Sequence, residues 1–117
     1  MFNLKQIHSD KRGEIWILDG FASFSECKIL KTNKGSARGG CVHTQDEYLV
    51  VLEGTIGLAC GETYYLLNKG DSRKILANTP HYFYSIKDSV VSEWGASLEG
   101  TTKDPEFLKI VEEINGK

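Results

Sequence analysis

Four residues of types that bind metals or move protons fall at spacings that let them share one interior: Cys41, His43, Glu47 and His81. Side chains alternate across a strand, so Cys41 and His43, two apart, point to one side. Glu47 has the same parity and opens the apolar run Tyr48-Leu49-Val50-Val51-Leu52. His81 starts a later β-prone run just after Pro80. A thiolate, two imidazoles and a carboxylate suit a divalent transition metal such as zinc, iron, nickel or copper better than magnesium or calcium. Four such groups also leave room for water or substrate, and Glu47, His43 and His81 can move protons. An acid that begins an apolar strand needs a partner if it is buried. Three roles are open to Cys41: thiolate ligand, small neutral residue, or reactive thiol.

Two further side chains are candidates for holding a substrate. Arg38 carries a planar fork that matches a phosphate or a carboxylate, although a solvated loop charge has the same appearance in sequence. Tyr82, one of the strand tyrosines with Tyr64, Tyr65 and Tyr84, can line the mouth of a barrel or pack on its outside.

These residues need strands to hold them, and the chain supplies short apolar runs broken by turn residues. Strands are expected at Glu14–Leu18, Glu26–Lys31, Tyr48–Leu52, Thr55–Cys60, Thr63–Leu67 and Ser72–Leu76. Gly61-Glu62 reads as a hairpin turn, and His81–Ile86 with Ser89–Trp94 reads as a second hairpin across Lys87-Asp88. Asn33 to Gly40, rich in glycine and polar residues, reads as a loop. Many short strands at regular spacing predict an antiparallel sandwich or barrel over about residues 12–96. The tail differs. Asp104-Pro105-Glu106 is a helix start, and Phe107, Ile110, Val111 and Ile114 follow at helical spacing. A helix over about 104–115 is expected, packed on the barrel or on a partner subunit.

The two stretches that hold the four residues resemble the paired motifs of the cupins. The first cupin motif is Gly, five residues, His-x-His, three or four residues, Glu, six residues, Gly; here Gly35, His43, Glu47 and Gly54 match, and Cys41 stands at the first His. In the second motif Gly70 and His81 match, while Leu76, Asn78 and Ser85 replace its Pro, Gly and Asn. The resemblance implies an all-β, cupin-type double-stranded β-helix, a jelly-roll barrel, with a short C-terminal α-helix. It also implies a single cupin domain over residues 1–117 and a homodimer, for which an unpaired barrel edge gives a physical reason. A narrower resemblance, carried by Asp10-Lys11-Arg12-Gly13 and by Arg38-Gly39-Gly40-Cys41-Val42-His43, is to cupins that process nucleotide sugars, such as dTDP-sugar ketoisomerases and capsule-synthesis cupins. In those isomerases the His pair transfers protons and no metal is required; Cys41 departs from that pair. Three functions follow as expectations: a metal-dependent protein acting on a small, sugar-like molecule, a metal-independent sugar isomerase, and a non-catalytic binding module.

The remaining composition mainly excludes. A net charge of −2 with interspersed signs gives nucleic acid no footprint. No apolar run is long enough to cross a bilayer, and the first residues lack a secretion signal's apolar core, so no membrane role and a cytoplasmic setting are expected. Three cysteines without a CxxC pair argue against a disulfide framework and a zinc ribbon.

Overall fold

The computed structural model describes residues 3–19, 27–96 and 98–116. Among these the chain forms β1 (Asn3–Asp10), β2 (Gly13–Asp19), β3 (Cys27–Thr32), β4 (Ala37–His43), β5 (Glu47–Glu53), β6 (Thr55–Cys60), β7 (Thr63–Asn68), β8 (Ser72–Ile75), β9 (His81–Ser85), β10 (Ser89–Trp94), β11 (Thr101–Lys103) and α1 (Pro105–Asn115). All pairings are antiparallel. One sheet has the order β1-β2-β3-β10-β5-β8 and the other β11-β4-β9-β6-β7. From β3 onward the chain changes sheet at nearly every link, and only β6 and β7 follow each other as a hairpin within one sheet, with Cys60 opposite Thr63. Strand pairing therefore joins residues distant in sequence, as a jelly roll requires.

The core lies between the sheets. Leu30, Leu49, Val51, Ile75 and Val91 from one face Ile56, Leu58, Leu67 and Phe83 from the other. These are the inward positions of their strands, set by the two-residue period. α1 covers the outside of β4 and β9. Its N-cap is Asp104, whose carboxylate accepts from the Phe107 N–H at 3.0 Å. At its far end the Asn115 amide clamps Ala37, accepting from its N–H and donating to its carbonyl at 2.8 and 2.9 Å.

The strands and the helix expected from sequence are present, with three corrections; Glu26, read as the start of a strand, lies outside the described residues. Asn33 to Gly40 is not one loop: β4 already begins at Ala37, so the loop is confined to Asn33–Ser36. β9 and β10 are not a hairpin, because β9 pairs with β4 and β6 while β10 pairs with β3 and β5. Two strands, β1 and β11, lie outside the expected barrel bounds of about 12–96. β1 pairs with β2 across the turn Lys11-Arg12, and β11 pairs with β4.

Candidate metal centre

The site is built on β4. Cys41 and His43 alternate inward as their spacing dictates, but the strand carries a bulge just before them. Its register against β9 slips between Gly39 and Cys41, where Gly39 and Gly40 take φ of +113° and +84°. Such angles favour glycine, and the extra residue reverses the inward–outward parity. Arg38, which strict alternation would turn away from Cys41, is brought to the same interior and is only 4% exposed. The bulge also serves the helix. A Cβ on Gly40 would stand 2.7 Å from the Leu108 Cα.

Glu47 enters at the start of β5, in line with the buried Leu49 and Val51. His81 enters at the start of β9 directly opposite Cys41. The four predicted residues therefore meet. The ligand atoms of Cys41, His43 and His81 all lie within 4.8 Å of one another. Glu47 bridges the imidazoles, with Oε2 3.2 Å from His43 Nε2 and Oε1 3.3 Å from His81 Nε2. The Cys41 sulfur lies 3.8 Å from His43 Nε2. Each ring is held from behind. His81 Nδ1 donates to the Thr79 carbonyl at 3.0 Å, and His43 Nδ1 lies 2.6 Å from the Thr101 hydroxyl. Both Nε2 atoms thus face the interior, the arrangement that outer partners give metal-binding histidines.

The electrostatics are those of a crowded, buried cluster. Burial pushes the Cys41 thiol up, but hydrogen bonds from His43 and His81 outweigh it and bring the group down to about 7. Cys41 and Glu47 raise His43 to about 9. Burial works against the charged form of His81, yet Cys41, Glu47 and the Thr79 carbonyl carry it up to about 11. Burial opposes ionisation of Glu47 too, but both histidines hold it well below the usual carboxylate range. A further acid, Glu93 of β10, lines the same cavity. Its burial and the neighbouring Glu47 charge push it well above that range, so it stays protonated beside Glu47.

These residues fit a metal ion. Glu47 Oε1 is buried and, despite its nearness to His81, makes no well-aligned hydrogen bond. A cation would supply what it lacks, and the donors are one sulfur, two imidazole nitrogens and a carboxylate, the set that transition metals prefer.

The cavity around the cluster has a volume of about 350 Å³ and opens to solvent. Arg38 reaches it, as do Arg12 and Lys28. Tyr82 does not. It points outward from β9, between the inward His81 and Phe83, and packs edge-on against Phe107 of α1 at 5.5 Å. Sequence reasoning missed Glu93, although a carboxylate two residues beyond the inward-facing Val91 was a usable sign. It also missed Thr101, because three residues at a loop end carry no strand signal.

Neither a family model nor a curated protein matches the sequence. Solved structures do match the fold. The capsular polysaccharide assembling protein CapF from Staphylococcus aureus superposes with a TM-score of 0.75 at 16% identity, over 87% of this chain and 34% of that one. This chain therefore spans about a third of the CapF chain. KdgF from a Halomonas species gives 0.67 at 16% identity, over 80% of this chain and 86% of that one. A point mutant of salicylate 1,2-dioxygenase from Pseudoaminobacter salicylatoxidans gives 0.62 at 14%, covering 68% and 26%. Identity this low speaks for architecture alone, and two facing antiparallel sheets around an inward Cys/His/Glu/His cluster give the same answer: this chain has the cupin fold.

Proposed function

We propose that the protein is a small metal-binding cupin that holds a divalent transition metal, zinc, iron or nickel, on Cys41, His43, Glu47 and His81 and takes a small molecule into the barrel beside it. One observation carries this reading: three soft or borderline donors within 4.8 Å of one another, next to a buried carboxylate oxygen that makes no aligned hydrogen bond. A bound ion would act as a Lewis acid toward a substrate oxygen or a water. The chain's own part is to orient the ligand with Arg38 and keep a proton on Glu93 within reach of Glu47. Elemental analysis of protein purified without added metal tests the reading. Near-stoichiometric metal, lost in His43→Ala and His81→Ala, is the expected result. Protein that carries no metal and resists reloading overturns it.

A metal-independent isomerase on nucleotide sugars is the second reading, favoured by the likeness to a protein named for capsular polysaccharide assembly. It requires His43 or His81 as a base. Both are raised, to about 9 and about 11, so near neutrality each holds a proton and is placed to act as an acid instead. A thermal-shift screen separates the readings, since a tight ligand raises Tm by mass action and a sugar-like one would stand out. A homodimer joined along β1 is part of the first reading. That strand is a sheet edge, with Leu4 57% and Ile7 48% exposed. Light scattering that gives the mass of one chain would remove it.

A further inference from the structure

Arg38 is 4% exposed and its guanidinium has no carboxylate within ion-pair distance among the described residues. Among the described residues two of its five donors are used. Nε donates to the Thr32 hydroxyl at 2.8 Å and one Nη to the Lys31 carbonyl at 3.3 Å, both on β3 across the barrel. The nearby acids are engaged elsewhere. Asp10 takes the Arg12 fork at 2.6 and 2.9 Å, and Glu93 faces Glu47. A buried cation without a counter-ion is costly, and three unused donors of a planar fork turned into a cavity match an anion of the same shape.

The rest of the cavity describes the remainder of that anion. Its walls include Ile15, Ile17, Leu30, Leu49, Leu58 and Phe83. The polar side chains that share this lining with Arg38 are Arg12, Lys28, Glu93 and the candidate metal ligands, so between them the ligand's body meets hydrocarbon. About 350 Å³ is the share of roughly a dozen liquid waters, room for a small molecule. Arg38 and Cys41 lie three residues apart on one strand, so under roughly 10 Å of backbone separates the guanidinium's origin from the candidate metal ligands.

We propose that Arg38 is the anion-binding end of this cavity and that the ligand is a small carboxylic acid with an apolar body, its carboxylate on the Arg38 fork and its body between the sheets. The inference rests on the reading of the barrel interior as a ligand site, and it narrows that site from a sugar-like molecule to an apolar acid. A carboxylate is favoured over a phosphate because Arg38 supplies one planar fork, Arg12 is committed to Asp10, and Lys28 adds only a single ammonium.

Calorimetric titration of the full chain with the straight-chain acids from acetate to octanoate, with benzoate, and with the matching amides tests it, in chelator-treated and in zinc-loaded protein. Each acid should bind at least tenfold tighter than its amide. Affinity should rise roughly fourfold per methylene until the cavity is full. Arg38→Met should abolish the preference for acid over amide. Should that variant fail to fold, Arg38→Lys keeps the charge without the fork and should lose at least tenfold in acid affinity. Equal binding of amides, no binding by any acid, full acid affinity in Arg38→Lys, or displacement of hexanoate by an equal concentration of inorganic phosphate each overturns the proposal. The two treatments keep the readings apart. An acid preference that persists without zinc supports Arg38 whatever becomes of the metal. A preference seen only with zinc and retained in Arg38→Met assigns the carboxylate to the metal and overturns this inference alone.

Discussion

Glu47 and Glu93 face each other inside the barrel, and only one of them can be charged at low cost. The histidines decide which: Glu47 is ionised and Glu93 keeps its proton. A carboxyl raised on folding contributes most below its unfolded value of 4.5 and costs stability above it. Glu93→Gln keeps a donor beside Glu47 and removes that cost. It should raise Tm near pH 8 by about 4 °C, roughly 1 kcal/mol in a chain of this size, and by less at pH 5. The histidines act on the same, alkaline side of the pH profile. His43 rises from 6.5 to about 9 on folding, so its contribution is whole below 6.5 and is lost as pH climbs to 9. His81 extends the decline to about 11. Glu47 is lowered from 4.5, so its contribution is lost as pH falls below that value. Cys41, brought down from 9.0 to about 7, offsets His43 between those values. The fall in Tm that calorimetry of chelator-treated protein should find between pH 6.5 and 9 therefore rests on His81 and Glu93. Zinc-loaded protein should not follow, because metal binding needs the deprotonated ligands and strengthens over the same range. Cys41 and His43 were legible in the sequence because a period of two on one strand fixes both to the same side. The cupin motif spacing joined Glu47 and His81, which lie on two other strands, to them. Arg38 was legible as a residue type but not in its direction, since the slip at Gly39-Gly40 has no signature beyond the two glycines.

At the scale of elements, that slip does two jobs. It turns Arg38 inward and it lets α1 lie against the strand at Gly40. Gly40→Ala would force a side chain onto φ +84° and into the Leu108 backbone. A loss of about 2 kcal/mol or more is expected by urea denaturation, together with weaker metal binding as Cys41 moves with the strand. A mutant of unchanged stability would show that the helix is not tied to the site. The helix itself was readable to within a residue, because Asp104 and Pro105 are chemical start signals. The pairing of β9 with its neighbours was not. Lys87-Asp88 has the composition of a hairpin turn, yet the link carries the chain from one sheet to the other. Turn residues specify a local reversal of the chain; they do not specify which sheet the next strand joins. β1 was missed for a related reason. Its sequence, NLKQIHSD, alternates weakly, and it becomes a strand by pairing with β2.

At the scale of the whole molecule, the barrel fold was legible because its signal is spread along the chain. Turns at Gly35, Gly54 and Gly70 bracket strands of four to seven residues, and no single substitution erases that spacing. Function is less legible because it depends on what the shared architecture leaves in its interior. Here the sheets leave a cavity with the cluster of Cys41, His43, Glu47 and His81, the buried Arg38 and apolar walls between them. No helix among the described residues is long and apolar enough to cross a membrane.

The thiol at Cys41 gives this interior a chemical rate of its own. At about 7 it is close to half thiolate at neutrality, whereas burial pushes Cys60 up. Thiolate is the nucleophile, so an alkylating reagent distinguishes the two by speed. Metal-free protein treated with iodoacetamide at pH 7 should be modified at Cys41 before Cys60, as peptide mass mapping reads directly. Zinc should slow the first reaction and leave the second unchanged. The same sulfur that would hold an ion is then the part of the barrel most open to attack when the ion is gone, so occupancy becomes measurable as protection.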